Sequence, residues 1–476
     1  MLWVRRFGVA LESITTCLAT MVAGLTVMLP VNYDWSPGSS VMQVNLLSSS
    51  LPKAIATGAV TAVIVAVVTA VMPRLISAWV AALAGIGLLY IDHSITAHTT
   101  VTSTMATVNF LDAVGGGVLL GAVAVAAVRD RPQILGWSLG AAGAIIVGST
   151  LPVAHNAVVL GANELEFWRH GNLPPILWLR VVLVLVLICA VIDRRRVTGD
   201  TQAPDLPIRP LLAGVVVVTA ALVGSLWLAP RGDDVADMVL VVGATLVASW
   251  VAALLMPDRD GALLLMTTAL AAVSAGLVPQ QVGRPLAALL MAMVAVGVLA
   301  GFFRPLPFTA FAGMILAAVY GIAYCADNVT GVLHPSVVAA AIALIGGLCF
   351  GSFRPQNPSS WVVGTVVIFA PTAIMALRNE LLMPDFGTVT VTNGRWMLYP
   401  MPPMRSATPH VAGLVLTIGC MLGLAVLYRL RPESAPAATE PPAPDAGSPA
   451  DSGDTHDGSA MADTIDPLAE TGESDT

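Results

Sequence analysis

Glu12 is an ionisable residue inside the first long apolar segment of the chain. With Thr16 and Thr20 it forms the spacing i, i+4 and i+8, which places one carboxyl group and two hydroxyls on one face of a helix. An ionisable side chain within a membrane span costs about 2.5–3.5 kcal/mol to insert and is therefore a functional candidate. The pattern indicates a proton or cation site. A second interpretation stays open, in which Glu12 reaches the membrane interface beside Arg5 or Arg6.

Asp112 and Arg180 lie near the outer ends of two further apolar segments. Asp112 falls in the first turn of its predicted helix, where the helix dipole favours an acid. Arg180 falls about one turn into its own segment, where a long side chain can extend to the interface. The functional alternative is that Arg180 binds an anionic group or pairs with Asp112. The sequence does not separate these interpretations.

Asp327 and His334 lie seven positions apart, in the link that follows the eleventh apolar segment. A histidine beside an aspartate can titrate near neutral pH, so the two residues are a candidate for proton coupling. The alternative is a solvated turn, with the next helix beginning at Pro335.

The chain shows no strong metal or catalytic motif. Asp92, His93 and His98 have only a superficial metal-ligand spacing, and we expect them in an outer loop without further ligands. No P-loop, GxSxG or HExxH pattern occurs. We therefore predict no catalytic residue, no metal, no cofactor and no enzymatic activity. The cysteines show no CxxC spacing, which predicts small core residues at Cys17, Cys189, Cys325, Cys349 and Cys420.

The composition explains where such residues must be held. Of the 476 residues 56% are hydrophobic and only 11% are charged, and the mean hydropathy is +0.82. A soluble domain is usually about one quarter charged, so the chain is predicted to be an all-α polytopic membrane protein. The use of Arg, Ala and Val is typical of a high-GC genome, and an actinobacterial origin is expected.

Fourteen apolar segments are long enough to be candidate membrane helices. Most arginines then fall in the loops on the side of the N-terminus, which predicts that both termini are cytoplasmic in a cell (inner or plasma) membrane. The segments lie near 7–30, 54–72, 75–91, 111–128, 134–152, 176–192, 210–229, 238–256, 262–279, 285–303, 308–326, 335–351, 358–377 and 410–428.

Residues 433–476 form a separate acidic segment. They contain no Lys, no Arg and no aromatic residue, and they account for the formal net charge of −7, since the rest of the chain is net basic. Such a segment cannot bury enough apolar area to offset its ordering entropy and is predicted to be disordered. It either binds a cytoplasmic protein partner or serves only as a solubilising tail. No nucleic-acid partner is expected.

Two stretches resemble a known family of membrane proteins. The sequence TVNFLDAVGGGVLLGAVAVAAVRDRPQILGWSLGAAGAIIVGSTLPV (107–153) resembles helices 4 and 5 of the major facilitator superfamily. The sequence FWRHGNLPPILWLRVVLVLVLI (167–188) is similar to the approach to helix 6 in its fourteen-helix drug:proton antiporter branch. The resemblance implies a substrate path between two bundles. It implies an N-terminal six-helix bundle (1–195), a cytoplasmic linker (196–209), two extra transmembrane helices (210–257), a C-terminal six-helix bundle (258–432) and the tail (433–476).

The motifs that couple transport to protons depart from the family pattern. Only Arg74, in AVMPRLISA, matches the basic motif between helices 2 and 3. Asn109 stands where the family's helix-4 motif has an arginine, and Asp112 stands where it usually has a glutamine. The glycine-rich helix-5 motif is loosened to Gly136, Gly140, Gly143, Gly148 and Pro152. The resemblance thus implies the scaffold for helix packing and puts ordinary drug:proton antiport in doubt.

These observations predict an integral membrane secondary transporter that exports an apolar or amphipathic small molecule or a lipid, in contact with membrane lipids. One alternative is a non-transporting relative that acts as a membrane scaffold or assembly partner in envelope biogenesis. A second is a glycosyltransferase that uses a lipid-linked donor, although its first outer loop offers only Asp34 as an acid.

Overall fold

A computed structural model describes residues 2–28, 41–72, 76–96, 102–127, 131–150, 174–194, 208–228, 235–277, 284–326, 335–353, 357–369, 389–392, 395–398 and 407–431. The predicted disordered tail 433–476 and the linker up to residue 207 lie outside these ranges.

The described ranges contain fourteen helices and one short hairpin. Ten of the helices are long and apolar enough to cross a membrane, and three shorter ones are apolar. The helices are α1 (Leu2–Met28), α2 (Val41–Val71), α3 (Ile76–Thr96), α4 (Thr102–Ala127), α5 (Arg131–Thr150), α6 (Ile176–Asp193), α7 (Ile208–Leu228), α8 (Val235–Leu255), α9 (Gly261–Leu277), α10 (Arg284–Phe303), α11 (Pro307–Ala326), α12 (Pro335–Ser352), α13 (Pro358–Phe369) and α14 (Thr408–Leu430).

The hairpin pairs β1 (Val389–Thr392) with β2 (Arg395–Leu398) in antiparallel register, with Val389 opposite Leu398. The all-α prediction omitted it, although the sequence between the strands is Asn-Gly, the strongest short hairpin signal.

Many of the side chains that face outward from the helices are large and apolar. On α6, Leu177, Val184 and Val191 repeat every seven residues along one face and are 64%, 54% and 66% exposed. Water does not favour such faces, whereas lipid does. With the apolar helix lengths, this makes the chain a multi-pass membrane protein.

The first six helices and the last six repeat one packing pattern. In the first set α1 packs against α4, α5 and α6, α2 packs against α4, and α3 packs against α4 and α6. In the last set α9 packs against α12, α13 and α14, α10 packs against α12, and α11 packs against α12 and α14. Every one of these contacts in the first set therefore has a counterpart eight helices later.

The contacts between the two sets follow the same rule. α2 contacts α13. In the same way α10, the counterpart of α2, contacts α5, the counterpart of α13. α4 meets α13 and α5 meets α12 in the same way. We call this interface the seam. Exchange of partners in this manner is what a twofold relation between two halves produces.

The remaining pair, α7 and α8, packs on the outside of the two sets. Gly214 of α7 lies beside Val63 of α2 and Val363 of α13, one helix from each set. On α8, the Trp250 indole N–H donates to the Gly419 carbonyl of α14 at 3.1 Å.

Small residues allow the closest helix approaches. A Cβ at Gly58 of α2 would lie 2.6 Å from the Ala113 carbonyl oxygen of α4, and a Cβ at Gly117 of α4 would overlap the Gly58 carbonyl. Within the predicted helix-5 motif, Gly136 and Gly140 lie against the Ser13 and Cys17 carbonyls of α1. Helices in membranes associate mainly by such packing, because in lipid there is no hydrophobic effect to drive them together.

Gly143 and Gly148 also belong to α5, and Gly143 lies against Met291 of α10, across the seam. Arg74 and Pro152 lie outside the described residues.

Candidate functional site

Three ionisable side chains meet between α3 and α4. Nε2 of His93 lies 3.2 Å from Oδ1 of Asp112, and the two side chains are only 2% and 6% exposed. Asp92 is also buried, and its carboxyl group is close enough to that of Asp112 for a hydrogen bond when a proton lies between them. Both ring nitrogens of His93 and Oδ1 of Asp112 are buried and form no hydrogen bond with a described residue, so the 3.2 Å contact is a close approach of the two groups and not an aligned hydrogen bond. We call Asp92, His93 and Asp112 the Asp–His–Asp cluster.

The expectation that Asp92 and His93 lie in an outer loop was wrong. α3 continues to Thr96, and α4 begins at Thr102, well before the predicted start near residue 111. Polar residues end an apolar pattern but do not end a helix when they find partners on a neighbouring helix. The two α3 residues therefore face α4 instead of water.

Glycines bring α3 and α4 close enough for this meeting. A Cβ at Gly85 of α3 would lie 2.7 Å from the Leu119 backbone nitrogen, and one at Gly115 would lie 2.9 Å from Leu89 Cδ2. Gly115 is one turn from Asp112 on the same face of α4. The helix spacing and the position of the carboxyl group are thus set by the same packing.

Other predicted site residues surround this cluster without joining it. Asn109 is buried one turn before Asp112, on the same face of α4. Arg180 of α6 is exposed and lies over the Tyr90 ring, with 5.9 Å from its Cζ to the ring centroid. The structure thus pairs Asp112 with His93 and places Arg180 on an aromatic face.

A second group of buried polar residues lies at the opposite end of the first six helices. Glu12 of α1 accepts a short hydrogen bond from Nε2 of Gln133 on α5, and both side chains are 2% exposed. The Thr16 hydroxyl donates to the Glu12 carbonyl at 2.7 Å, so it stabilises the helix and not the carboxylate. The neighbouring hydroxyl of Thr20 is buried and bonds to no described residue.

This group continues onto α3 and α6. The Trp79 indole N–H donates to Oδ2 of Asp193 at 2.8 Å, and both residues are 1% exposed. The thiol of Cys189 donates to the Thr15 hydroxyl at 3.4 Å. Six helix-borne side chains in three pairs therefore connect α1 with α5, α3 with α6, and α1 with α6 at this end.

The sequence patterns do not single out Gln133, Asp193 or His93 as site residues. Gln133 is uncharged, and Asp193 directly follows the apolar segment 176–192. The signal that could have found Asp193 is an acid directly at the end of an apolar helix, ahead of three arginines. Asp327 and His334 lie outside the described residues.

The chemistry these groups support is proton binding. Within the described ranges, no three His, Cys, Asp or Glu side chains are arranged to hold a metal ion. Carboxyl and imidazole groups gain a hydrogen-bond donor when they bind a proton, and the carboxamide of Gln133 can donate to a carboxylate.

No family model matches the chain, and no curated protein matches it. Solved structures with a similar arrangement include a peptide transporter in complex with sulfate, at 14% identity over 89% of this chain and 95% of that one, with a TM-score of 0.46. The proton:xylose symporter XylE of the major facilitator superfamily, bound to 6-bromo-6-deoxy-D-glucose, shows 11% identity over 89% and 96%, with a TM-score of 0.41. The transporter FucP of the same superfamily, in its outward conformation, shows 14% identity over 90% and 99%, with a TM-score of 0.38.

Proposed function

We propose that this chain is a secondary transporter of the major facilitator type, and that it exports an apolar or amphipathic molecule by alternating access. The proposal rests on the repeated contacts across the seam. The contact of α2 with α13 is matched by the contact of α5 with α10, in which each helix is the counterpart of one in the first contact. Transporters with two repeated halves move their halves against each other around a site near the membrane midplane.

The seam is suited to such a movement. Between described residues its polar contacts include a long hydrogen bond, from the Trp137 indole to the Thr365 hydroxyl at 3.3 Å, and a cation–π contact, with 5.9 Å from Cζ of Arg131 to the centroid of the Phe302 ring. Its other contacts are of a kind that can slide, such as Gly143 against the flexible side chain of Met291. Contacts within each half use glycine-to-backbone approaches, which hold each half as a unit.

The proposed substrate follows from the scarcity of charge in the helices. The buried polar groups in the first half are mostly hydroxyls and paired acids, so a highly charged substrate would lack partners. An amphipathic cation or a lipid fits this interior better. In this proposal both termini lie in the cytoplasm of a cell-membrane protein. The two extra helices lie between the halves in sequence (210–257).

The experiment is transport by full-length protein in phospholipid vesicles, with ethidium and a fluorescently labelled phospholipid as separate probes. We expect wild-type protein to move at least one probe. The variant Gly143→Cys/Met291→Cys should lose this activity when a short bifunctional thiol reagent links the two cysteines, because the link joins α5 to α10. Each single cysteine variant is the matched control and should be insensitive to the reagent.

Two results would count against the proposal. Full transport by the cross-linked protein would exclude relative movement at this part of the seam. Absence of movement of both probes by correctly folded wild-type protein would favour the scaffold alternative.

A further inference from the structure

The Asp–His–Asp cluster lies near one end of the membrane-spanning region, at the α3–α4 contact. His93 is three residues before the end of α3. Its side chain and those of Asp92 and Asp112 are nevertheless buried. Burying ionisable groups in a membrane span is unfavourable unless they neutralise one another, and groups that are buried there are candidates for a function.

The contacts within the cluster require mobile protons. Two carboxylates contain no hydrogen-bond donor, so Asp92 and Asp112 can bond to each other only when one of them is protonated. His93 approaches Asp112 through Nε2 at 3.2 Å, and both of its buried ring nitrogens form no hydrogen bond with a described residue. The imidazole can therefore hold either one or two protons without breaking another bond that the structure describes.

The charge of the cluster depends on how many protons it holds. Two carboxylates and one neutral imidazole together carry two negative charges. With one added proton the cluster carries one negative charge, and with two added protons it is neutral. A low-dielectric site favours the neutral form, and water contact favours the charged form. A change in access to water therefore changes proton occupancy by one.

We infer that Asp92, His93 and Asp112 form a proton-binding site at the α3–α4 contact, and that the proton bound there is the coupling ion. This inference rests on the proposed transport function, since a bound proton couples only in a protein that changes the side it faces. The proton arrives from hydronium, leaves water behind, and returns to water on release.

Charged groups on the neighbouring helices do not replace this pairing. On α6, Arg180 lies over the Tyr90 ring. On α2, Lys53 is exposed. On α1 and α5, Glu12 and Arg131 lie at the opposite end of the first half, and the described residues of α13 include none with a charge.

The position of Asp112 on α4 links the site to the seam. α4 packs against α1, α2, α3 and α5 within its own half, and against α13 across the seam. A change of charge that shifts α4 relative to α3 is therefore transmitted to the helices that must separate. The main contacts of α6, by comparison, are with α1 and α3 of its own half.

The test is an infrared pH titration of full-length protein in phospholipid vesicles, following the C=O stretch of protonated carboxyl groups. In the difference between wild type and variant, the contributions of all other carboxyl groups cancel. Wild-type protein should show one step, in which this band is lost as the pH rises, that Asp112→Asn lacks, and His93→Gln should keep that step but move its midpoint. Asp237→Asn, which changes the same group on α8 beside Trp227, should match wild type.

The outcomes are separable. An unchanged step in Asp112→Asn would overturn the inference. If that variant does not fold, Asp92→Asn and His93→Gln decide, and unchanged titrations in both would overturn it equally. Loss of the step in Asp112→Asn, together with no ethidium or lipid transport by wild type, would uphold the proton site and contradict the transporter. Transport by wild type, together with an unaltered titration in Asp112→Asn, would uphold the transporter and contradict the proton site.

Discussion

The indole nitrogen of Trp137 on α5 donates to the hydroxyl of Thr365 on α13 at 3.3 Å, and both side chains are buried. The two helices are counterparts in the repeated packing, eight helices apart, so this bond lies where the two halves of the chain meet. The Thr365 hydroxyl donates in turn to the Trp361 carbonyl at 2.8 Å, which fixes its orientation. The seam thus has a buried hydrogen bond between α5 and α13, in addition to the cation–π contact of Arg131 with Phe302 between α5 and α10.

Removing this bond should change the balance between conformations more than it changes folding. For Trp137→Phe and Thr365→Val we expect each to weaken the seam by about 1 kcal/mol, the usual net value of a neutral hydrogen bond. The double variant should add little to either single variant, because both remove one interaction. The measurement is the population of seam conformers, by distance measurements between spin labels.

The matched control for that cycle is Trp227→Phe. Trp227 donates to Oδ1 of Asp237 at 2.9 Å, on the extra pair α7 and α8 and away from the seam. An equal population shift in the control would show that loss of any indole bond has this effect, against the assignment.

Gly117→Ala should destabilise the first half. Its Cβ would overlap the Gly58 carbonyl, so α2 and α4 must move apart, at about 1–3 kcal/mol for overpacking. Gly87→Ala on α3 adds the same methyl group where nothing lies within 4 Å, and it should be tolerated. Thermal unfolding in detergent measures both, and equal midpoints would contradict the packing described for α2 and α4.

Arg431 at the end of α14 should hold the turn between α8 and α9. Its guanidinium donates to the Leu254 carbonyl at 2.8 Å, to the Met256 carbonyl at 2.5 Å and to the Asp258 carbonyl. Asp258 has a φ of 43°, which is strained for a residue with a side chain and needs such support.

We therefore expect Arg431→Ala to increase hydrogen exchange at the backbone amides of 256–260 by more than tenfold. The basis is loss of charge-assisted bonds worth about 1.5–3 kcal/mol. Arg429→Ala is the control, since Arg429 is exposed two positions earlier on the same helix. Similar exchange in the two variants would mean that the turn is held by other contacts.

Removing one partner of the buried Glu12–Gln133 hydrogen bond should reduce stability more than removing both partners. Glu12→Leu removes the partner of the Gln133 carboxamide and should destabilise the protein by about 1–3 kcal/mol. Glu12→Leu/Gln133→Leu removes both polar groups and should recover much of that loss. Thermal unfolding of the three proteins decides, and a double variant that is less stable than the single one would contradict the pairing.

The sequence predicted most of the helices but few of the contacts between their polar side chains. Apolar length alone identifies a membrane span, because about twenty apolar residues are needed to cross the bilayer. The partners of Glu12 and Trp79 could not be predicted, since Gln133 and Asp193 are 121 and 114 residues away. Their meeting depends on helix approaches such as Gly136 against Ser13, which are properties of the folded chain.

The boundary of α3 shows the same limit. Asp92 and His93 interrupt the apolar pattern and favour a loop when only the local sequence is considered. Their partner, Asp112, lies on another helix, and its presence makes burial of the polar residues favourable. Asp112 itself was a candidate from the sequence, whereas its pairing with His93 needed the structure.

Relative movement of the two halves is the central claim, and paired spin-label distances test it most directly. One label pair, Lys53→Cys on α2 with Ala288→Cys on α10, spans the halves at one end, and Pro132→Cys on α5 with Phe303→Cys on α10 spans them at the other. All four positions are exposed. We predict two populations for each pair, with one distance lengthening as the other shortens when the pH or the ethidium concentration changes. A single, unchanged distance for both pairs under all these conditions would contradict alternating access in this protein.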